Sequence, residues 1–411
     1  MARGQPTTAE ERAAGPAAVA AAVLPYPLAL ATLGLTYWTV DMVAPALPAV
    51  REALALSGTT AGLVFAAFFG GRLIANLPAA LLVDRAGPRR TAALGALVVL
   101  AGSLLAATAA SGAALLPARG LQGVGVALLV TAGLLSVLQA RPGRGAAMTA
   151  FNLAAGLGGS AGLLSGGGLT EAVGWRAVFW LSAALGAALL AGALLWPRAT
   201  LSTGSASPPR ADDAPAMAVG PSSALAGALL ANLLVFGLYS VWVVALPLYA
   251  AERFGADAGR IGRLLLVVNV IHLGAALPAG RAIRRLGPTR PLVAGFGITA
   301  TGLAVVLVAP SEGWLMLPMA CYAVGQGTAS SAAGDLLLRH GGGGGRAVGM
   351  VRLTSDVGLV VGPAGVGALA DAAGVGAPFV ALAALAAVAA GGAWWGSRGH
   401  RTRLGGGGHR G

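Results

Sequence analysis

The chain has 411 residues, of which 56% are hydrophobic and only 10% charged, and its mean hydropathy is +0.79. That leaves too little polar surface to cover a water-soluble globule and marks an integral membrane protein. The formal charge of +13 comes entirely from arginine, placed as a membrane topology demands rather than in a nucleic-acid patch, and the single cysteine, Cys321, excludes an intrachain disulfide and a cysteine metal cluster.

A helix needs ~20 apolar residues to cross a bilayer. Twelve such runs are predicted, at about 24–46, 58–82, 91–110, 113–138, 146–169, 177–197, 223–250, 261–283, 291–309, 313–337, 347–370 and 377–396. None shows the alternation of a membrane β-barrel. The expected organisation is a cytoplasmic segment 1–23, a six-helix bundle 24–197, a linker 198–222, a second bundle 223–396 and a tail 397–411.

The small residues Ala20, Ala21 and Ala22 mimic a signal-peptide cleavage site, but Glu10 and Glu11 precede them and the apolar run continues past Asp41, so the first span is expected to stay uncleaved. An ionised group in hydrocarbon costs several kcal/mol unless it meets a partner or a wet cavity. Asp41 is therefore a candidate proton or solute carrier, predicted to share a helix face with Tyr37, Pro45 and Pro48. Tyr37 and Trp38 are candidate cavity residues. The second span carries Arg72, and the loop after it holds Asp84, Arg85, Arg89 and Arg90 as a candidate gate.

In the fourth span Arg119, which cannot readily lose its proton, is a candidate fixed charge for releasing a proton from a nearby acid, with Gln122 expected in the cavity. The fifth offers Asn152 for the cavity and Gly158, Gly162 and Gly166 as a bare packing face. Residues 198–222 are rich in Pro, Ser and Gly and read as a flexible cytoplasmic linker. Tyr239, Trp242 and Gln326 are further cavity candidates, and His272 a candidate proton carrier. On the eleventh span Arg352 and Asp356 are four apart and are further gate candidates, expected to pair in one conformation, with Arg352 within reach of Asp84 in another or the pair permanent and structural. Gly358 and Gly362 follow as packing glycines. The glycine run 341–345 lacks the Lys-Ser/Thr of a phosphate loop.

The chain repeats itself. Residues 70–90 align without a gap to 270–290 through Leu77-Pro78-Ala79 and Leu277-Pro278-Ala279, Gly87 and Gly287, and Arg90 and Arg290. The same register pairs Gly158, Gly162, Gly167 and Gly174 with Gly358, Gly362, Gly367 and Gly374, and it sets Arg72 opposite His272, predicted to face each other across the central path. A duplicated apolar module is a common origin of secondary transporters, whose substrate path lies between the repeats. With the N-terminus inside, the cytoplasmic segments collect Arg85, Arg89, Arg90, Arg284, Arg285 and most other arginines, and the opposite side only Arg51, Arg176, Arg253, Arg260 and Arg263. Both termini are then cytoplasmic.

The motifs narrow the class. ALLVDRAGPRR resembles the signature loop of the major facilitator superfamily, with Asp84, Arg85, Gly87, Arg89 and Arg90 retained and Ala80 and Pro88 as departures. Arg119, Gln122, Gly123 and Gly125 resemble that superfamily's R-x-x-Q-G-x-G element. GGSAGLLSGGGL is close to an antiporter element but has Leu163 at the proline position, whereas the second copy keeps Gly362-Pro363. The resemblance implies an all-α membrane protein of twelve transmembrane helices in two pseudo-symmetric six-helix bundles, with Arg119 linked to proton coupling and Asp41 placed like the first-span acid of drug:proton antiporters.

The expected function is proton-coupled export of a small organic solute or drug by alternating access. Import of a small, possibly anionic metabolite is the alternative, because Arg72 and Arg352 lie in the path. A membrane sensor or enzyme is the remote one, since no clustered catalytic constellation occurs. The expected setting is a multi-pass monomer in the plasma membrane, meeting solute, protons and lipid, with no cofactor, metal or nucleic acid.

Overall fold

The computed structural model describes residues 25–140, 144–196, 223–341 and 344–405, and every regular element among them is helical. The expected segments 1–23 and 198–222 lie outside these residues. The helices are α1 (Pro25–Asp41), α2 (Leu47–Ala53), α3 (Gly58–Ala107), α4 (Gly112–Ala140), α5 (Arg144–Val173), α6 (Arg176–Leu195), α7 (Ser223–Leu238), α8 (Leu246–Phe254), α9 (Ala258–Leu286), α10 (Thr289–Val306), α11 (Met316–His340), α12 (Gly344–Ala373) and α13 (Ala377–Gly405).

The 50-residue α3 is two crossings folded back at Gly87, whose φ of 79° and ψ of 165° interrupt the helix. Gly287, its counterpart in the repeat, has φ 75° and ψ 166° and separates α9 from α10. Only glycine takes such a conformation without a Cβ clash. The helix starts repeat as well: the Ser57 hydroxyl accepts from Thr60 N at 3.1 Å, and the Asp257 carboxylate accepts from Arg260 N at 2.7 Å. Nine helical segments among the described residues are long and apolar enough to cross a membrane, α3 counted once and α7 joined to α8. With the fold at Gly87, the α1–α2 pair and α11, the twelve expected crossings are present.

The first span is not one helix, which corrects the predicted shared face. α1 stops at Asp41 because Pro45, four residues on, has no N–H for the Asp41 carbonyl. Ala44 N bonds that carbonyl instead at 3.2 Å, and Leu47 N bonds Ala44 O at 3.3 Å where Pro48 would fail. Pro45 and Pro48 thereby lie beyond the helix that carries Tyr37 and Asp41, Pro48 within α2. In the second half the chain loosens at the matching depth into a π turn, Val241–Ala245, ahead of Pro247. Each half thus has a broken first helix at the same level.

Packing within each half runs through bare backbone. Gly158, Gly162 and Gly166 of α5 lie against the main chain of Gly34 and Trp38 in α1 and of Met42 just beyond it, and Gly358 and Gly362 of α12 against Leu233 and Gly237 in α7. Lipid supplies no hydrophobic drive between helices, so close contact of this kind carries much of the association. The halves meet along two seams, α3 with α12 and α5 with α9.

Candidate functional site

Asp41 sits at the end of α1, where the broken helix delivers a carboxylate to mid-depth between the halves. Its Oδ1 accepts a hydrogen bond from the Tyr239 hydroxyl of α7's following turn at 2.9 Å, across the boundary between the repeats. Its Oδ2 lies beside α5: a Cβ built on Gly159 would stand 2.3 Å from it, so only glycine leaves the carboxylate room there. Next to it Asn269 of α9 donates to the Ser160 hydroxyl of α5 at 3.1 Å, a second polar tie across the same boundary. Aromatic rings continue the wall. Phe69 meets Tyr239 edge-on at 6.1 Å, Tyr239 stacks on Trp242 at 6.0 Å, and Trp242 meets the His272 ring edge-on at 6.2 Å.

A few turns away on the other seam, Asp356 of α12 is almost fully buried and accepts from Arg72 and Asn76 of α3, both in the opposite half. The predicted Arg352–Asp356 pair is therefore corrected: Asp356 is taken by the other half, and Arg352 has no ion-pair partner among the described residues. The reason is the number of donors: an acid inside the seam is met by two side chains of the facing helix, Arg72 and Asn76, where its own helix offers one. Of the repeat-equivalent pair Arg72 and His272, Arg72 reaches across to Asp356, whereas the His272 ring meets Trp242 of its own half.

Arg119 and Gln122 are displaced further from expectation. Arg119 is wholly buried inside the first half, donating to Gln122 Oε1 at 2.6 Å and to Val64 O at 3.4 Å, with its guanidinium over Phe68 and Phe65 at 4.6 and 5.7 Å. No acid lies within ion-pairing distance of it among the described residues, so it does not adjoin the acid that its expected role requires. Gln122 is buried with it and donates to Ser103 at 2.8 Å, tying α4 to α3 rather than lining a cavity. Gln326 is likewise 5% exposed and bonds the Val235 carbonyl of α7. Asn152 is exposed, with no hydrogen bond among the described residues.

Tyr37 is half-buried and edge-on to Phe151 at 5.9 Å. Trp38 donates to the Ser165 hydroxyl at 2.8 Å and closes one end of an apolar groove of about 920 Å³ between α1 and α5, lined by Tyr26, Leu30, Leu153 and Leu157 among others. The groove ends one helical turn from Asp41. The expected gate residues Asp84, Arg85, Arg89 and Arg90 lie around the fold at Gly87, and none has an ion pair among the described residues. Contacts between halves run from the Gly58 end to mid-depth. Among the described residues no hydrogen bond or ion pair joins them nearer the Asp84 end than Asn76–Asp356.

Phe69, Asn76, Ser160 and Asn269 belong to this site and the sequence reading passed over them. Asn76 follows Arg72 by one turn inside an apolar run, a signal equal in kind to Arg72 itself. Phe69 offers none.

A family profile described as Major Facilitator Superfamily matches residues 29–344 and 228–409. The chain is 37% identical over 159 residues to the puromycin resistance protein pur8 of Streptomyces alboniger, which is 37% of this chain and 31% of that one. It is 31% identical over 148 residues to the multidrug resistance protein Stp of Mycobacterium tuberculosis, 35% of this chain and 28% of that one. The chain thus spans less than a third of the length of these curated relatives. Among solved structures, a bacterial homologue of the human lysosomal transporter Spinster, inward-facing and unoccupied, superposes with a TM-score of 0.77 at 15% identity over 92% of this chain and 97% of that one. The nucleoside transporter NupG does so with 0.74 at 12% identity over 90% and 98%.

Proposed function

The chain belongs to the Major Facilitator Superfamily, a family of membrane transporters that carry small solutes and not of enzymes, and on that footing we propose that it exports a small organic solute in exchange for protons. The observation that carries this reading is Asp41 bonded by Tyr239 of the opposite half. As an anion, Asp41 accepts a charge-assisted bond worth about 1.5–3 kcal/mol. Protonated, it gives up most of that, so its proton and the contact between halves are linked. A solute bearing a donor group competes with the proton for the same carboxylate. Two ligands that exclude each other from one alternating site move in opposite directions, which is exchange.

Resistance to puromycin and to several drugs, named for the relatives above, supports export and an organic solute. The apolar groove ending near Asp41 suits the lipophilic part of such a molecule. Arginine is concentrated on one side, which supports both termini being cytoplasmic, and the proposed setting is a monomer in the plasma membrane. On this orientation the Gly58 end faces outward and the crevice opens inward. Gating falls to the Asp84 loop, which has no ion pair among the described residues in this state and closes against the opposite half in the other. The second reading, import of an anionic metabolite, rests on Arg352, whose half-buried guanidinium lacks an ion-pair partner among the described residues.

The test uses proteoliposomes with a pH-sensitive dye inside and no imposed gradient. Exchange predicts that puromycin or ethidium moving down its own gradient drives protons the opposite way, at a rate several-fold above protein-free vesicles. Protons moving in the same direction as either probe would contradict export by exchange.

A further inference from the structure

The Gly58 end of the molecule carries an arrangement that none of the motifs assigns. The carboxylate of Asp371, at the end of α12, reaches into the other half and accepts from Gly58 N at 2.5 Å, Thr59 N at 2.7 Å and the Thr59 hydroxyl at 2.7 Å. These are first-turn amides of α3, which have no acceptor within their own helix. On the opposite seam Glu171, near the end of α5, lies over the first turn of α9. Its Oε2 is so close to Gly259 that a Cβ built there would stand 1.8 Å away. The two carboxylates are repeat equivalents, Asp371 being Glu171 displaced by 200 residues and Gly259 being Thr59 displaced by the same amount, with Asp371 hydrogen-bonded to the facing helix and Glu171 lying against it. Each half therefore places a carboxylate on the positive end of a helix of the other half, where an anion is favoured by the aligned peptide dipoles.

The surroundings hold both contacts at backbone distance. Gly58 and Gly62 abut the main chain of Gly367 and Pro363, and Gly167 abuts that of Ala258 and Gly262. Arg51 and Glu252, 3.3 Å apart, add an exposed pair between the halves, of the kind that contributes little. At the opposite end the charged groups of the Asp84 loop make no ion pair among the described residues.

We propose that Asp371 and Glu171 form a two-point latch that holds the Gly58 end shut and so sets the balance between the two states of the transport cycle. Parting the halves there strips the acceptor from the first-turn amides of α3 and moves Glu171 off α9, and water must replace both. The latch belongs to the scaffold and does not touch solute. It depends on alternation between two states, not on the solute or the direction of transport.

The experiment is a distance measurement without solute. Spin labels are placed at Ala53→Cys and Arg253→Cys, repeat-equivalent positions near this end, with Cys321→Ser, in lipid nanodiscs. The parent is expected to give mainly one short distance. Asp371→Asn combined with Glu171→Gln should raise the long-distance population several-fold. Gly259→Ala keeps both charges and favours the helix, yet displaces Glu171, and should shift the population in the same direction. Asp335→Asn, at the other end, should leave the parent distribution. Gly259→Ala decides the case if the double variant yields no monodisperse protein, and a parent-like distribution in it overturns the latch. Proton-exchange measurements on the parent are independent of this outcome, so the failure of one reading leaves the other standing.

Discussion

Arg72 and Asp356 show what a charge inside the membrane does when it has a partner across a seam. Asp356 has 2% side-chain exposure and Arg72 18%, so the acid carries most of the desolvation. Removing the arginine alone leaves a buried anion whose remaining hydrogen-bond donor among the described residues is Asn76, a loss of about 3–5 kcal/mol by analogy with other buried pairs. Arg72→Met is expected to lower the thermal midpoint in detergent more than Asp356→Met does, and the double variant should be more stable than Arg72→Met. Strict additivity in that cycle would mean that the pair is not coupled. The sequence made each of these charges visible, because an aspartate or arginine in an apolar run stands out. It could not name their partners. Asp41 finds Tyr239 at a separation of 198 residues, and Asp356 prefers Arg72 at 284 over Arg352 at four. Arg119 is the clearest case. Its motif was legible, but the rotation of α4 that turns it onto Phe65 and Phe68 and away from every described acid was not.

Among the helices, the repeat could be read well in advance. Gly87 and Gly287 fold the chain with nearly the same φ, and Gly158 and Gly358 each sit on a neighbouring backbone. Glu171 and Asp371 stood in the same register and were equally readable once Gly174 and Gly374 were aligned. The break after Asp41 was less so, because Pro45 and Pro48 fit either a kinked continuous helix or a stop. The difference depends on whether Ala44 and Leu47 can serve the stranded carbonyls. Glycine spacing alone also left open whether a glycine faces protein or lipid. A Cβ on Gly166 would stand 2.0 Å from Met42 O, whereas Gly168 has nothing within 4 Å. Valine at either position carries the same helix propensity, so the contrast isolates packing. Gly166→Val is expected to cost at least the ~1–3 kcal/mol typical of overpacking and to lower the yield of monodisperse protein. Gly168→Val should behave as the parent in the same thermal scan, and equal loss at both sites would contradict the α1–α5 contact.

At the scale of the whole molecule, two copies of one module are bonded to each other at the Gly58 end and at mid-depth, and among the described residues no hydrogen bond or ion pair joins them at the Asp84 end. The Asp41–Tyr239 bond lies where the copies meet. Under the proposed exchange, that placement would make a single proton mechanically relevant, since the group that binds it also joins the halves. On the proposed mechanism Asp41 acts on solute and proton, and on the proposed latch Asp371 and Glu171 act on the balance of states. The most direct test of the central claim compares the native chain with Asp41→Asn in proteoliposomes under an imposed pH gradient, using labelled puromycin. Loss of gradient-driven accumulation, with exchange of puromycin across the membrane retained in the absence of a gradient, is the predicted result. Driven accumulation in Asp41→Asn equal to that of the native protein would contradict it.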